Sequence, residues 1–475
     1  MYNSIQEFLS HGTGKIEKRI KNFIEEKKDL ADLVIGLQEE LYELGRNILQ
    51  EVLEDIDHQL RQSALRKRKW EVVRKDRNSL LTSFGQITYE RTYFKSKAGG
   101  ERQYLVDQIV GIQSHDRVSA DVVINALEEA ADSSYRKGGE KAAYKDEISK
   151  QAVMKKVHGL EVVQPPIKIE EKREVRVLYI EADEDHVAQQ GERVQPKNQK
   201  ARPILMPKLI YIHEGIDCEK STEKRRVLKN ARYFGGLKTS EDLWLEVSEY
   251  IDAVYAVDKI ETIYITGDGA QWIKNGLHWI PKSKFVLDNY HMNQYIKAAT
   301  AHLGDEALVQ GLRDALDDAD KKMAQRVFGR ILDRTESESK RVVVYESKRY
   351  LMNNWAGIAI KMGNRDIVGC SAEGHVSHVL SARLSSRPLS WSRIGADKMG
   401  QLQIFKNNGG KIYDLVMAQK KKEQQQKKHD IQDELIRELR LKKHEPESVW
   451  NSSITVLEKG HKTSLYSGLR AIVGI

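Results

Sequence analysis

The sequence predicts an α/β fold, a core of short strands and amphipathic helices preceded by helical segments and a small β-hairpin. Three observations predict it. Apolar residues between Glu25 and Gln62 recur at steps of three and four, as one long helix requires. Residues Ser79 to Tyr104 alternate instead, as strands do. Beyond Pro165-Pro166, short β-branched runs take turns with helical stretches. At 475 residues the chain is about three times an ordinary domain, so two to four domains are expected.

Composition narrows the class. Two cysteines, Cys218 and Cys370, exclude a disulfide scaffold and a cysteine-rich zinc module. No apolar run is long enough to span a membrane, and the N-terminus lacks the apolar stretch of a signal peptide, so a cytoplasmic protein is expected. Lys and Arg number 78 against 70 Asp and Glu, a net charge of +8. The excess is clustered at Arg66–Lys69, Lys220–Arg226, Lys420–Lys422 and Lys427-Lys428. One such run is ordinarily a solvated face; several around a carboxylate-rich centre favour a nucleic-acid substrate.

The elements follow in order. Residues 1–65 are a helical region in which Leu30, Val34, Leu37, Leu41, Leu44, Ile48, Val52, Ile56 and Leu60 form one stripe, suited to pairing with a second copy or to packing on its own domain. Residues 66–112 form a small hairpin module around Phe84-Gly85. Residues 113–165 hold helices at 119–133, 135–144 and 149–158. The last, with Val153 and Val157 inward and Lys150, Gln151, Lys155 and Lys156 outward, fits the second helix of a DNA-reading helix-turn-helix; generic three-helix packing gives the same pattern.

Residues 170–298 begin the core. Val175–Ile180, Leu205–His213 and Val227–Phe234 read as strands, Ser240–Tyr255 as a helix capped by Ser240, and Thr262–Thr266 and Phe285–Leu287 as further strands. Three antiparallel strands, a helix, then more strands is the order of a ribonuclease H-like fold. Residues 299–365 are a helical insertion, 366–410 carry the last core helix with Ser371 as its cap, and 411–475 are a charged helical tail.

Two strands end in acid, at Asp183 and at Asp268 between Gly267 and Gly269, which places carboxylates at the rim of a sheet. A lone acid there is usually a turn or cap residue; two on neighbouring strands signal more. Glu373, in the first turn of the last core helix, is a third, although an acid there also suits the helix dipole. Three converging carboxylates would hold magnesium, a hard cation that prefers such oxygens.

Four segments, LYIEAD (178–183), ITGDGAQWI (265–273), LDNYH (287–291) and CSAEGHVS (370–377), together closely resemble the ISLre family of bacterial insertion-sequence transposases, long catalogued as an uncharacterised protein family and related to the Mutator-like transposases. The resemblance runs from near Phe84 through Gly410. It implies a ribonuclease H-like core with a helical insertion between the second and third acids. It also implies a catalytic and metal-binding triad of Asp183, Asp268 and Glu373, with Mg2+ or substituting Mn2+. Asp288 and His291 match the Asp/Cys-x-x-His element of the Mutator lineage, an accessory pair ordering the site or the start of the insertion. Glu184 departs from the pattern, where glycine often follows the first acid, and leaves Glu181, Asp183 and Asp185 in contention. All three share a strand face. The position of Asp183 beside the expected end of the Asp268 strand, and the resemblance, favour Asp183.

The implied activity is cleavage of transposon ends and joining of the freed 3′-hydroxyl to target DNA. The implied partners are double-stranded DNA, both terminal inverted repeats and target, and at least a second copy of the chain; the implied location is the bacterial nucleoid. A catalytically decayed DNA-binding relative and a metal-dependent nuclease without strand transfer are the alternatives. Arg383, Arg387, Arg393 and Lys398 read as a phosphate track. Cys370, His375 and His378 fall short of a structural zinc site. Trp272 and Trp391 suit packing better than base stacking.

Overall fold

The computed structural model describes residues 2–27, 29–113, 116–167, 169–191, 203–223, 225–364, 366–367 and 369–426. The chain divides into two compact units: residues 1–126, 136–150 and the chain from 416 onward make the first, and 127–135 and 151–415 the second.

In the first unit, Asp29 caps a helix over Leu30–Gln62 by accepting from the Ala31 amide at 2.8 Å, so the long helix begins five residues later than its periodicity suggests. A separate helix, Thr13–Glu25, precedes it. The predicted stripe divides in use. Its C-terminal residues Ile56 and Leu60, with Leu53 from outside the stripe, pack on the β-sheet, whereas Leu30, Val34 and Leu41 stay exposed. The hairpin is longer than expected, with strands Trp70–Thr82 and Gly85–Ser96 and a short third strand, Arg102–Tyr104. Gly85 makes the tight turn at φ 110°, a value costly for a side-chain-bearing residue.

The second unit is a mixed α/β structure. Its five-stranded sheet runs Ser283–Leu287, Thr262–Gly267, Val177–Glu184, Lys208–His213, Arg232–Gly236 across its width. The first three are parallel to one another and the last two add antiparallel. The predicted strand Leu205–His213 is interrupted at Pro207, which lacks the amide a continuous strand needs. Leu178, Ile180 and Ala182 are fully buried on one face, against Leu243, Trp244, Val247 and Ile251 of the helix Ser240–Val254. Thr239, not Ser240, caps that helix, accepting from the Asp242 amide at 3.1 Å. Tyr179, Glu181 and Asp183 occupy the other face. The insertion is helical, at Glu306–Asp317, Lys321–Arg334, Glu338–Asn353 and Trp355–Met362.

The helix-turn-helix expectation is corrected. Helices Tyr135–Glu140 and Lys150–His158 are joined by residues 141–149, longer than the three- or four-residue turn such a motif uses. The tail is helical over Ile412–Gln426, and the rest of it, with Lys427-Lys428, lies outside the described residues. No helix among the described residues is long and apolar enough to cross a membrane.

Candidate active site

Strand register gathers the acids. Glu181 pairs with Thr266 in the parallel ladder, so Asp183 and Asp268, each two residues further on, lie level at the ends of adjacent strands. Leu287 pairs with Gly267, which brings Asp288 to the same height on the third parallel strand. Three carboxylates thus stand at the C-terminal ends of three neighbouring parallel strands, the rim where open α/β sheets place their ligands.

Each is held differently. Asp268 opens a turn in which its Oδ1 accepts from the Ala270 amide at 2.8 Å. Gly269 follows at φ 84°, where a Cβ would collide with the Asn354 side chain. Tyr350, from an insertion helix, donates its hydroxyl to the Asp268 carbonyl. Asp288 caps the helix Asn289–Thr300 through the His291 amide at 2.7 Å, and its second oxygen lies 2.8 Å from His291 Nδ1. That bond, with the charges of Asp288, Asp268 and Asp183, raises the His291 pKa against the effect of burial.

Asp183 has one hydrogen bond, from the Glu184 amide at 2.8 Å. Burial pushes its carboxyl up to about 7, the negative charges of Glu373 and Asp268 push the same way, and the Glu184 amide and His291 oppose them. Glu373 is exposed, in the first turn of a helix whose segments run Ala372–Val376, Ser377–Ser381 and Ala382–Leu384.

Glu181 and Asp185 differ from Asp183 in their partners. Glu181 is 2% exposed and accepts from Tyr211, from His213 and from the Ser371 amide. Asp185 accepts from the His186 amide at 2.9 Å and Ser385 Oγ at 2.8 Å. Ser371 therefore does not cap its helix with its own side chain. Sequence reasoning missed Tyr211, His213, Tyr350 and Asn354, which carry no motif. It also missed Lys361, whose Nζ is buried without a hydrogen-bond partner and whose pKa burial lowers.

The donor set suits a hard divalent cation, since a positive ion would relieve the repulsion that Asp183 feels from Glu373 and Asp268. Among the described residues no three His, Cys, Asp or Glu side chains are already close enough to hold an ion. Zinc finds no support at Cys370 and His375. Burial, reinforced by the Glu181 charge, holds the Cys370 thiol well above its usual range, and Tyr233 is hydrogen-bonded to His375 Nδ1 at 2.8 Å.

The basic candidates divide. Lys150, Gln151, Lys155 and Lys156 are exposed on their helix, as are Arg387 and Arg393. Arg383 is a correction to the phosphate track. It is 6% exposed, donates to the Ala130 carbonyl at 2.8 Å and lies over the Trp391 ring at 4.7 Å. Lys398 is half-buried and donates to the Leu160 carbonyl at 2.7 Å, so it too holds the fold. Trp391 is buried beneath Arg383, and Trp272 packs against the core.

Comparison with known proteins gives the chain relatives. A sequence profile of an uncharacterised protein family, UPF0236, matches residues 23–461. A UPF0236 protein of Caldanaerobacter subterraneus subsp. tengcongensis is 42% identical over 448 residues, 94% of this chain and 92% of its own length; its name joins eleven gene designations. A UPF0236 protein from the vanSb 3′ region of Streptococcus gallolyticus is 26% identical, over 83% of this chain and 86% of its own. Among solved structures, the Drosophila P element transposase strand transfer complex aligns at 12% identity and a TM-score of 0.19, covering 66% of this chain and 82% of that one.

Proposed function

The chain belongs to the UPF0236 family, and we propose that it is a DNA transposase of the Asp-Asp-Glu type, built on a ribonuclease H-like core. The observation that supports the proposal most is that Asp183 and Asp268 end neighbouring parallel strands at the same height, where burial, with the charges of Glu373 and Asp268 adding to it, pushes the Asp183 carboxyl up to about 7. The sheet supports the same reading. Counted along the chain, its strands lie in the order three, two, one, four, five, with only the second antiparallel to the rest, as in ribonuclease H-like folds. The many gene designations joined in one relative's name are what an element that copies itself through a genome leaves behind.

Asp183, Asp268 and Glu373 would hold Mg2+, or Mn2+ in its place. Bound there, the metal would supply a Lewis acid that lowers the pKa of a water and neutralises charge on the reacting phosphate. Water attacks the phosphodiester at an element end and frees a 3′-hydroxyl. That hydroxyl then attacks a target phosphate, exchanging one phosphodiester for another, so no serine or tyrosine nucleophile is needed. His291, oriented by Asp288, offsets the negative charge of the acids. Lys150, Gln151, Lys155, Lys156, Arg387 and Arg393 are the exposed side chains available to DNA. Two ends held at once call for a second copy of the chain, and Leu30, Val34 and Leu41 offer it an exposed apolar surface.

The test is incubation of the pure protein with Mg2+ and a DNA fragment carrying the ends of its own element. Wild type should nick the ends and join them to target, while Asp268→Asn should bind DNA but leave it intact. Equal cleavage by Asp268→Asn would remove the catalytic reading. Nicking without joining would favour a plain nuclease.

A further inference from the structure

Two residues before Asp183, on the same strand, lies a carboxylate that the proposed chemistry does not use. Glu181 is buried, and each of its oxygens is engaged. His213 Nδ1 accepts from the Gly215 amide at 3.1 Å, so its proton sits on Nε2 and is donated to Glu181 Oε1 at 3.0 Å. Tyr211 donates its hydroxyl to Glu181 Oε2, and Ser371 Oγ lies 2.9 Å from the Tyr211 hydroxyl and 3.3 Å from the same Oε2. The Ser371 amide donates to the same Oε2 at 2.6 Å.

That last bond reaches across the fold. Ser371 immediately precedes the helix that carries Glu373, and its carbonyl accepts from the His375 amide at 3.0 Å. Tyr211 stacks on the His375 ring at 4.3 Å, and the Tyr233 hydroxyl is hydrogen-bonded to Nδ1 of that ring at 2.8 Å. Residues 371 and 375 share one face of the first turn, and Glu373 falls on the opposite face, left exposed. The start of the helix is therefore fastened to the Asp183 strand through a charged acceptor, the strongest kind for a free amide at a helix N-terminus.

We infer that Glu181 is a positioning residue: it fixes the register of the Glu373 helix against the Asp183 strand, and so the placement of Glu373, while touching neither substrate nor metal. The role of Glu373 rests on the proposed function; the clamp itself does not. In Glu181→Gln the amide nitrogen must face either His213 Nε2–H or the Ser371 and Tyr211 donors, so at least one bond is lost. Tyr211→Phe is the milder variant, removing one donor and keeping the ring on His375.

The experiment combines two readouts on the full chain. Hydrogen exchange at the amides of residues 371–376 should quicken about tenfold in Glu181→Gln and less in Tyr211→Phe. Single-turnover cleavage in Mg2+ should fall about 10- to 100-fold in Glu181→Gln, with the DNA dissociation constant unchanged. Tyr211→Phe should fall between that and wild type. Unchanged exchange at 371–376 in Glu181→Gln overturns the clamp whether or not the protein cleaves DNA. Faster exchange with wild-type cleavage also overturns the positioning role. If Glu181→Gln does not fold, Tyr211→Phe decides on the same two criteria. A wild type that binds its ends but never cleaves them counts against the proposed function instead, and the exchange measurement still judges the clamp.

Discussion

Two acids of the first unit and one of the second are held in opposite ways. In the first, Asp57 accepts from the Thr92 amide at 2.8 Å and hydroxyl at 2.6 Å, and Asp107 from Tyr89 at 2.9 Å and from Arg91. In the second, Asp183 has a single backbone donor and two acids nearby. A raised pKa does not separate the cases, since burial lifts Asp107 as well. The partners do. A buried carboxylate that the chain satisfies holds the fold, and one left unsatisfied among like charges is held for something the chain does not supply.

The largest effect that would sharpen this contrast is on Asp183. On the proposed reading, Asp183→Asn should lower the single-turnover cleavage rate by at least about a thousandfold, roughly 4 kcal/mol, because it would remove a metal ligand and not a structural bond. The same residue sets a pH dependence in the absence of metal. Its folded pKa of about 7 lies above the unfolded carboxyl value near 3.8, so between them the folded state binds more protons. The Asp183 contribution to stability therefore falls as pH rises from about 4 to about 7 and levels off above. Thermal melts across that range should show the decline in wild type and a flatter profile in Asp183→Asn. Parallel profiles would mean that Asp183 makes no such contribution.

The opposite behaviour is expected of the first unit. Asp57→Ala strands the amide and hydroxyl of Thr92 inside the fold, both buried with the aspartate. It should cost about 2 to 4 kcal/mol in urea unfolding and leave the cleavage rate of the folded protein unchanged. A stability loss below about 0.5 kcal/mol would break the contrast from the structural side.

How much of this was legible in the sequence follows from the same physics. Alternation and apolar runs announced the core strands, and acids at strand ends announced Asp183 and Asp268, because both signals are local. The interruption at Pro207 was equally local and was passed over. Arg383 was misjudged because the carbonyl it donates to, that of Ala130, lies far along the chain, and charge alone does not tell a guanidinium over an indole from one awaiting phosphate. The fastening of Ser371 by Glu181 was invisible for the same reason: a strand and a helix separated by the whole insertion meet only in three dimensions.

The smallest expected effect is at Asp185, which lies between the two classes. It is 6% exposed; Oδ1 has two donors, from the His186 amide and Ser385, and Oδ2 is buried with none. Strand alternation put it on the same face as Glu181 and Asp183, so the sequence alone left it in contention as the first ligand. Its partners now argue against that role, because the oxygen that is engaged points at a serine of the fold. Asp185→Asn keeps the accepting oxygen and replaces the one without a donor by an amide, removing a buried charge. Stability should change by no more than about 1 kcal/mol, and cleavage by only a few-fold, about what a modest shift of a neighbouring strand end produces. Denaturant melts and single-turnover rates, run beside Asp183→Asn, measure both. An inactive Asp185→Asn of wild-type stability beside an active Asp183→Asn would show that the acid the chain leaves least satisfied is not the one that does the chemistry.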